Sequence, residues 1–251
     1  MMRKLAIVAA ACALAACGTK DAADPLSPTG ATGRVRFVNM ITDTTRGRVN
    51  AILEGVPFGV NLTYGQSTPA TLPAPSTANY SAILTGSRNL VLKRTADTNT
   101  VVSTVSFGVD AGQDYTIYAT GGASGSAVAS TIIGDVNSDV TSTQTRIRVV
   151  NMSPTGGAMD VFVTAPNADL AAATPAFANV AVRGGSSYVT VNAGTYQVRA
   201  VPAGTAPAAR AAAVAINVAT LALPGAGGRT IVLADRSTGG APLTSFVLTD
   251  R

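Results

Sequence analysis

Two hydrophobic patterns divide this chain. From Leu5 to Ala16 the residues are uninterruptedly apolar, with Arg3 and Lys4 in front. From about residue 32 onward, short runs of Val, Ile, Thr, Phe and Tyr alternate with clusters of Gly, Pro, Asn and Ser. The second pattern is that of strands joined by turns. It predicts strands at 34–39, 48–53, 58–63, 80–84, 88–94, 101–108, 114–120 and 128–133. A second series follows at 146–151, 159–164, 177–182, 187–191, 195–201, 211–218, 229–234 and 244–249. Side chains alternate across a strand, so Val35 and Phe37 take one face and Arg34, Arg36 and Val38 take the other. The alanine-rich stretch 206–215 invites a helix, but Pro207 and the return to Ile216 and Val218 favour a loop and strand.

The two series are copies of one another. Arg34–Met40 returns 112 residues later as Arg146–Met152, with five of seven positions identical. Later segments recur in the same order. Tyr115–Ala119 corresponds to Arg229–Leu233, and Asp135 after one closing run corresponds to Asp250 after the other. So long an offset means tandem domains rather than a solenoid, whose periods run about 20–50 residues. Seven or eight short strands per roughly 100 residues predict a sandwich. The expected architecture is all-β: two tandem immunoglobulin-like β-sandwich domains after a cleaved lipoprotein signal peptide. The expected divisions are 1–16 leader, 17–32 flexible tether, 33–140 first repeat and 141–251 second repeat.

The apolar run near the start is too short for a transmembrane helix, which needs about 20 residues. A basic start, an apolar middle and small residues before the cut suit a secretory leader. Leu14, Ala15, Ala16 and Cys17 read as a lipobox, with Cys17 the lipid-attachment residue. Several acyl chains would anchor stably, each buried methylene contributing about 0.8 kcal/mol. Gly18, rather than Asp, follows the cysteine. In enterobacterial lipoproteins, which this leader resembles, an Asp there signals inner-membrane retention, so the resemblance implies an exported protein, lipid-anchored at the outer membrane and facing the periplasm or the surface.

Composition narrows the chemistry. Cys12 leaves with the leader and Cys17 carries lipid, so no disulfide is expected in the folded part. The chain has no histidine, which removes the commonest general base and metal ligand, and Glu54 is its one glutamate. No catalytic residues, metal or cofactor are expected. Without Arg3 and Lys4, 16 basic side chains face 13 acidic ones, and no dense basic run exists, so nucleic acid is not an expected partner.

Arg34–Met40 and Arg146–Met152, followed by Gly112–Thr116 and Ala193–Tyr196, carry a family resemblance. The chain resembles a tandem of the domain-of-unknown-function family numbered 4397, over roughly residues 33–250. The first copy departs at Pro75–Asn79 and the second at Gly228–Thr230. The resemblance implies exported β domains and brings no activity.

Several residues invite functional readings. Arg34, Arg36, Arg46 and Arg48 could line one outer face, either as an anion-binding patch or as charges guarding sheet edges. Asn39 and Asn151 suit Asx-turns at strand ends. Tyr80, Tyr115 and Tyr196 suit buried rings whose hydroxyls tie down turns. Asp135, Asn137 and Asp139 alternate as in calcium loops, but Val140 and Arg146 stand where an EF-hand needs Gly and Glu. The expected function is a non-enzymatic, lipid-anchored cell-envelope protein, a structural or protein-interaction module. Its membrane contact would be lipidated Cys17, and its other partner an envelope protein or glycan. The alternative is an envelope ligand-binding protein for a glycan or anionic polymer.

Overall fold

The computed structural model describes residues 30–69, 79–138 and 140–250. The leader, the lipobox with Cys17, most of the tether, most of the Pro75–Asn79 departure and Asp139 lie outside these residues. Eighteen strands and two short 3-10 helices make up the described regular structure.

The first half contains β1 (Thr32–Ile41), β2 (Val49–Leu53), β3 (Val56–Leu62), β4 (Ser67–Thr68), β5 (Ser81–Leu84), β6 (Gly86–Arg94), β7 (Asp97–Val109), β8 (Asp114–Gly121) and β9 (Val128–Asp135). The second contains β10 (Gln144–Met152), β11 (Met159–Thr164), β12 (Phe177–Val180), β13 (Gly184–Gly185), β14 (Val189–Asn192), β15 (Gly194–Pro202), β16 (Ile216–Leu223), β17 (Gly227–Ala234) and β18 (Thr244–Thr249). The topology repeats. A five-stranded sheet β4-β1-β8-β9, with β5 also on β1, faces a four-stranded sheet β3-β2-β6-β7. Likewise β13-β10-β17-β18, with β14 on β10, faces β12-β11-β15-β16. The all-β sandwich expectation holds. The five-stranded sheets differ from the antiparallel sheets of an immunoglobulin domain, because β1 runs parallel to β8 and β10 parallel to β17.

Each sandwich has its own core. Val35, Phe37 and Ile117 of the five-stranded sheet meet Val49, Leu90 and Leu92 of the four-stranded sheet. Ile147, Val149 and Ile231 meet Met159, Val161 and Val198 in the second half. Asn39 and Asn151 tie the layers together. Asn39 Oδ1 accepts from the Ile41 amide at 3.1 Å, the expected Asx geometry, while its Nδ2 donates to the Gly47 and Leu62 carbonyls at 2.6 and 2.9 Å. Asn151 does the same with the Ser153 amide and the Gly157 and Val180 carbonyls.

The strand predicted at 211–218 begins only at Ile216. Residues 206–215 form turns around a 3-10 helix, Pro207–Ala209. Arg210 holds this segment against the outer side of the four-stranded sheet, over the Phe162 ring and bonded to the Leu170 and Ala173 carbonyls. Phe162, Leu170 and Val201 make a small satellite core beneath it.

The two five-stranded sheets pack against each other. Val38, Met40 and Tyr118 from the first meet Val150, Met152, Val232 and Ala234 from the second. Both faces of β1 and β10 are therefore buried, one in its own sandwich and one in the seam.

Candidate functional site: a buried charge network in the seam

The seam holds eight polar side chains in a reciprocal arrangement. On the first sandwich, Thr116 Oγ1 and Tyr80 Oη donate to Asp135 Oδ2 at 2.5 and 2.8 Å. On the second, Thr230 Oγ1 and Tyr188 Oη donate to Asp250 Oδ2 at 2.7 and 3.0 Å. The arginines then cross over. Arg36 of the first sandwich donates to Asp250 Oδ1 at 2.8 Å and to the Thr249 carbonyl at 2.8 Å. Arg148 of the second sandwich donates to Asp135 Oδ1 and, at 2.9 Å, to the Gly134 carbonyl. Each guanidinium also rests over its own sandwich's tyrosine, Arg36 at 4.5 Å from the Tyr80 centroid and Arg148 at 4.8 Å from Tyr188.

Local sequence explains the positions. Arg36 and Arg148 sit on the strand faces turned away from their own cores. Thr116 and Thr230 stand beside them in register on the parallel neighbours β8 and β17. Asp135 ends β9 and Asp250 follows β18, so both carboxylates come from the last strand of a repeat.

The charged members of the network are buried and balance one another. Arg36 and Arg148 are 2% and 1% exposed, and Asp135 and Asp250 are 5% and 2% exposed. Burial opposes the Arg36 cation, but Tyr80, Tyr118, Asp250 and Asp135 around it raise its pKa above the ordinary arginine value. Burial raises the pKa of Tyr80, Tyr118 and Tyr188 and outweighs the lowering effect of the nearby arginines, so these phenols stay protonated. Tyr118 is fully buried and its hydroxyl has no hydrogen-bond partner among the described residues. With two cations, two anions and well-placed hydroxyls, this arrangement joins the sandwiches mechanically.

Several expected roles change in this setting. Arg36 is neither a surface anion ligand nor an edge charge, because β1 lies inside its sheet and Arg36 inside the seam. Arg34 pairs with Asp114, Nε to Oδ1 at 2.6 Å, and is about one-third exposed. Arg46 pairs with Asp43 and donates to the Ser126 carbonyl at 2.9 Å. Arg48 is exposed, just before β2. The four arginines thus do not form one patch. The matching register position to Asp114 is Gly228, so Arg146 lacks the carboxylate that Arg34 has, and its Nε and Nη2 are buried without partners among the described residues.

Tyr115 and Tyr196 tie down turns, to Asp110 Oδ2 at 2.8 Å and the Asn192 carbonyl at 2.9 Å, but their rings are half-buried rather than buried as expected. Tyr80 instead joins the seam network. Asp135 is committed to Arg148, Thr116 and Tyr80, and Asn137 donates to Asp114, so the calcium-like spacing is used for other bonds. Among the described residues, no group of three His, Cys, Asp or Glu side chains could hold a metal ion.

Further contacts cross the seam. Thr120 Oγ1 donates to the Met152 carbonyl at 2.9 Å, and Tyr64 Oη to the Asp235 carbonyl. The Tyr64 and Phe246 rings meet edge-on at 5.4 Å.

Comparison with known proteins agrees with the sequence motifs. A family model described as a domain of unknown function, DUF4397, matches residues 33–162. This is more than half of the chain, and the chain belongs to that family. The match covers the first sandwich and continues through β10 and most of β11. No curated protein matches the chain. Among solved structures, a leucine-rich repeat protein from Bacteroides thetaiotaomicron aligns at 13% identity and a TM-score of 0.19, covering 88% of this chain and 25% of that one. The chain therefore spans about a quarter of that structure's length, and so low a TM-score carries no argument about the fold or function.

Proposed function

We propose that this protein is a non-enzymatic, lipid-anchored component of the bacterial cell envelope, in which two clamped sandwiches serve as a structural or protein-interaction module. The carrying observation is the reciprocal pairing of Arg36 with Asp250 and Arg148 with Asp135. It suits a part that must hold a fixed shape rather than open and close around a substrate. The leader with Leu14, Ala15, Ala16 and Cys17 supports anchoring through Cys17, and Gly18 supports the outer membrane. The alternative, capture of a glycan or anionic polymer by the four arginines, keeps only Arg48 as a free cation, because Arg34, Arg36 and Arg46 are each neutralised within the fold.

Anchoring is tested by feeding cells an alkyne fatty acid and comparing the full chain with Cys17→Ala. The reading expects label and membrane flotation only with Cys17. Label retained in Cys17→Ala, or an unlabelled native chain, contradicts it. The module role is tested by cross-linking in intact envelopes, where a reproducible protein neighbour supports it and its absence under several growth conditions counts against it.

A further inference from the structure

With Arg34, Arg36 and Arg46 paired internally, Arg48 stands apart. Its guanidinium is exposed and has neither an ion pair nor a side-chain hydrogen bond among the described residues. It lines a shallow cleft of about 230 Å³ at the seam. The first sandwich contributes Thr44, Thr63 and Tyr64, and the second contributes Ser237 and Thr238 from the loop between β17 and β18. We propose that this cleft binds one acidic sugar residue, its anionic group on Arg48 and its hydroxyls on the threonine and serine side chains of both sandwiches.

Four observations support this. First, the one acidic side chain in the cleft, Asp43, does not neutralise Arg48. Burial works against ionised Asp43, but hydrogen bonds from Thr45 and Arg46 hold its pKa below the usual carboxylate range, so its charge is spent on Arg46. Second, the walls are preset. Tyr64 is fixed by its bond to the Asp235 carbonyl and by Phe246. Third, Gly239 (φ +81°) lets the second sandwich's loop settle on the first, because a Cβ there would lie 2.7 Å from Ala123 Cβ. Fourth, the volume falls below the roughly 300–1,000 Å³ of drug-sized pockets, which suits a single monosaccharide rather than a larger ligand. A free guanidinium beside several hydroxyls matches a ligand with one anionic group and several hydroxyls.

Saturation-transfer NMR on the full chain in detergent tests this, with glucuronate, glucose 6-phosphate and neutral glucose as probes. Both acidic sugars should receive saturation and glucose should not; a preference between the two separates a carboxylate from a phosphate ligand. Arg48→Ala should weaken binding about tenfold or more, as should combined Ser237→Ala and Thr238→Ala. Arg88→Ala, outside the cleft, should leave it unchanged. Circular dichroism confirms that each variant is folded, which exposure of Arg48 favours. No transfer to either acidic sugar, equal transfer to glucose, or unchanged binding in folded Arg48→Ala overturns the proposal.

Discussion

Arg36 and Asp250 lie at opposite ends of the chain and meet at 2.8 Å in the buried seam between the two sandwiches. Arg148 and Asp135 repeat the pairing in the opposite direction. Each aspartate is oriented by a threonine and a tyrosine of its own sandwich and neutralised by the arginine of the other. Removing one member would leave its partner charged and unpaired in a low-dielectric site. Arg36→Met should therefore cost about 3–5 kcal/mol. Urea unfolding of the full chain, followed by circular dichroism, measures this, and a loss below about 1 kcal/mol would mean that Asp250 finds other compensation.

The paired asparagines fasten each sandwich internally. Asn39→Ala leaves the Gly47 and Leu62 carbonyls without this donor, and Asn151→Ala does the same to Gly157 and Val180. Each change should destabilise its sandwich by about 2–3 kcal/mol. Hydrogen exchange checks where the loss falls: faster exchange should centre on β1 and β3 for Asn39→Ala and on β10 and β12 for Asn151→Ala.

Gly65 adopts φ +80°, and a Cβ there would lie 2.6 Å from the Phe246 ring across the seam. Gly65→Ala meets both backbone strain and a clash with the other sandwich, and should cost about 1–3 kcal/mol. Adding Phe246→Leu should recover part of that loss in thermal unfolding. No recovery would assign the cost to the backbone alone.

Alkaline titration should separate the tyrosines. Burial raises the pKa of Tyr64, Tyr80, Tyr118 and Tyr188 above the ordinary value of about 10. A phenol that holds its proton more tightly when folded contributes stability that is present in full below pH about 10. That stability is lost as pH rises further, because the unfolded chain releases protons first. Tyrosinate absorbance from these four should appear only together with loss of the folded circular dichroism signal. A large rise while the fold persists would show that the seam admits hydroxide.

The strands and their repetition were legible because each core face is read locally. Val35 and Phe37 alternate with Arg34 and Arg36, and the structure puts them on the assigned faces. Alternation says only which side turns from a strand's own core, however, not whether that side meets water. The cue was the nearly continuous apolar run Phe37-Val38-Asn39-Met40-Ile41 on β1, which suits a strand buried on both faces. A second cue lay in the repeat, where Arg36 recurs as Arg148 and Asp135 as Asp250, opposite charges kept together in both copies. Their crossed partnership was not legible, because it joins positions 214 residues apart through a packing no local pattern encodes. Residues 206–215 show the same limit: Pro207 and the return to Ile216 pointed to a loop and strand, but the strand starts only at Ile216 because Arg210 holds the preceding residues in turns over Phe162.

Arg36 and Asp250 clamp the sandwiches to each other. A double-mutant cycle with Arg36→Met, Asp250→Leu and the combination, read by urea unfolding of the full chain, tests it most directly. The double variant should be far less destabilised than the summed singles, by about 1–3 kcal/mol or more, because only the single variants leave an unpaired buried charge. Additive losses would contradict it.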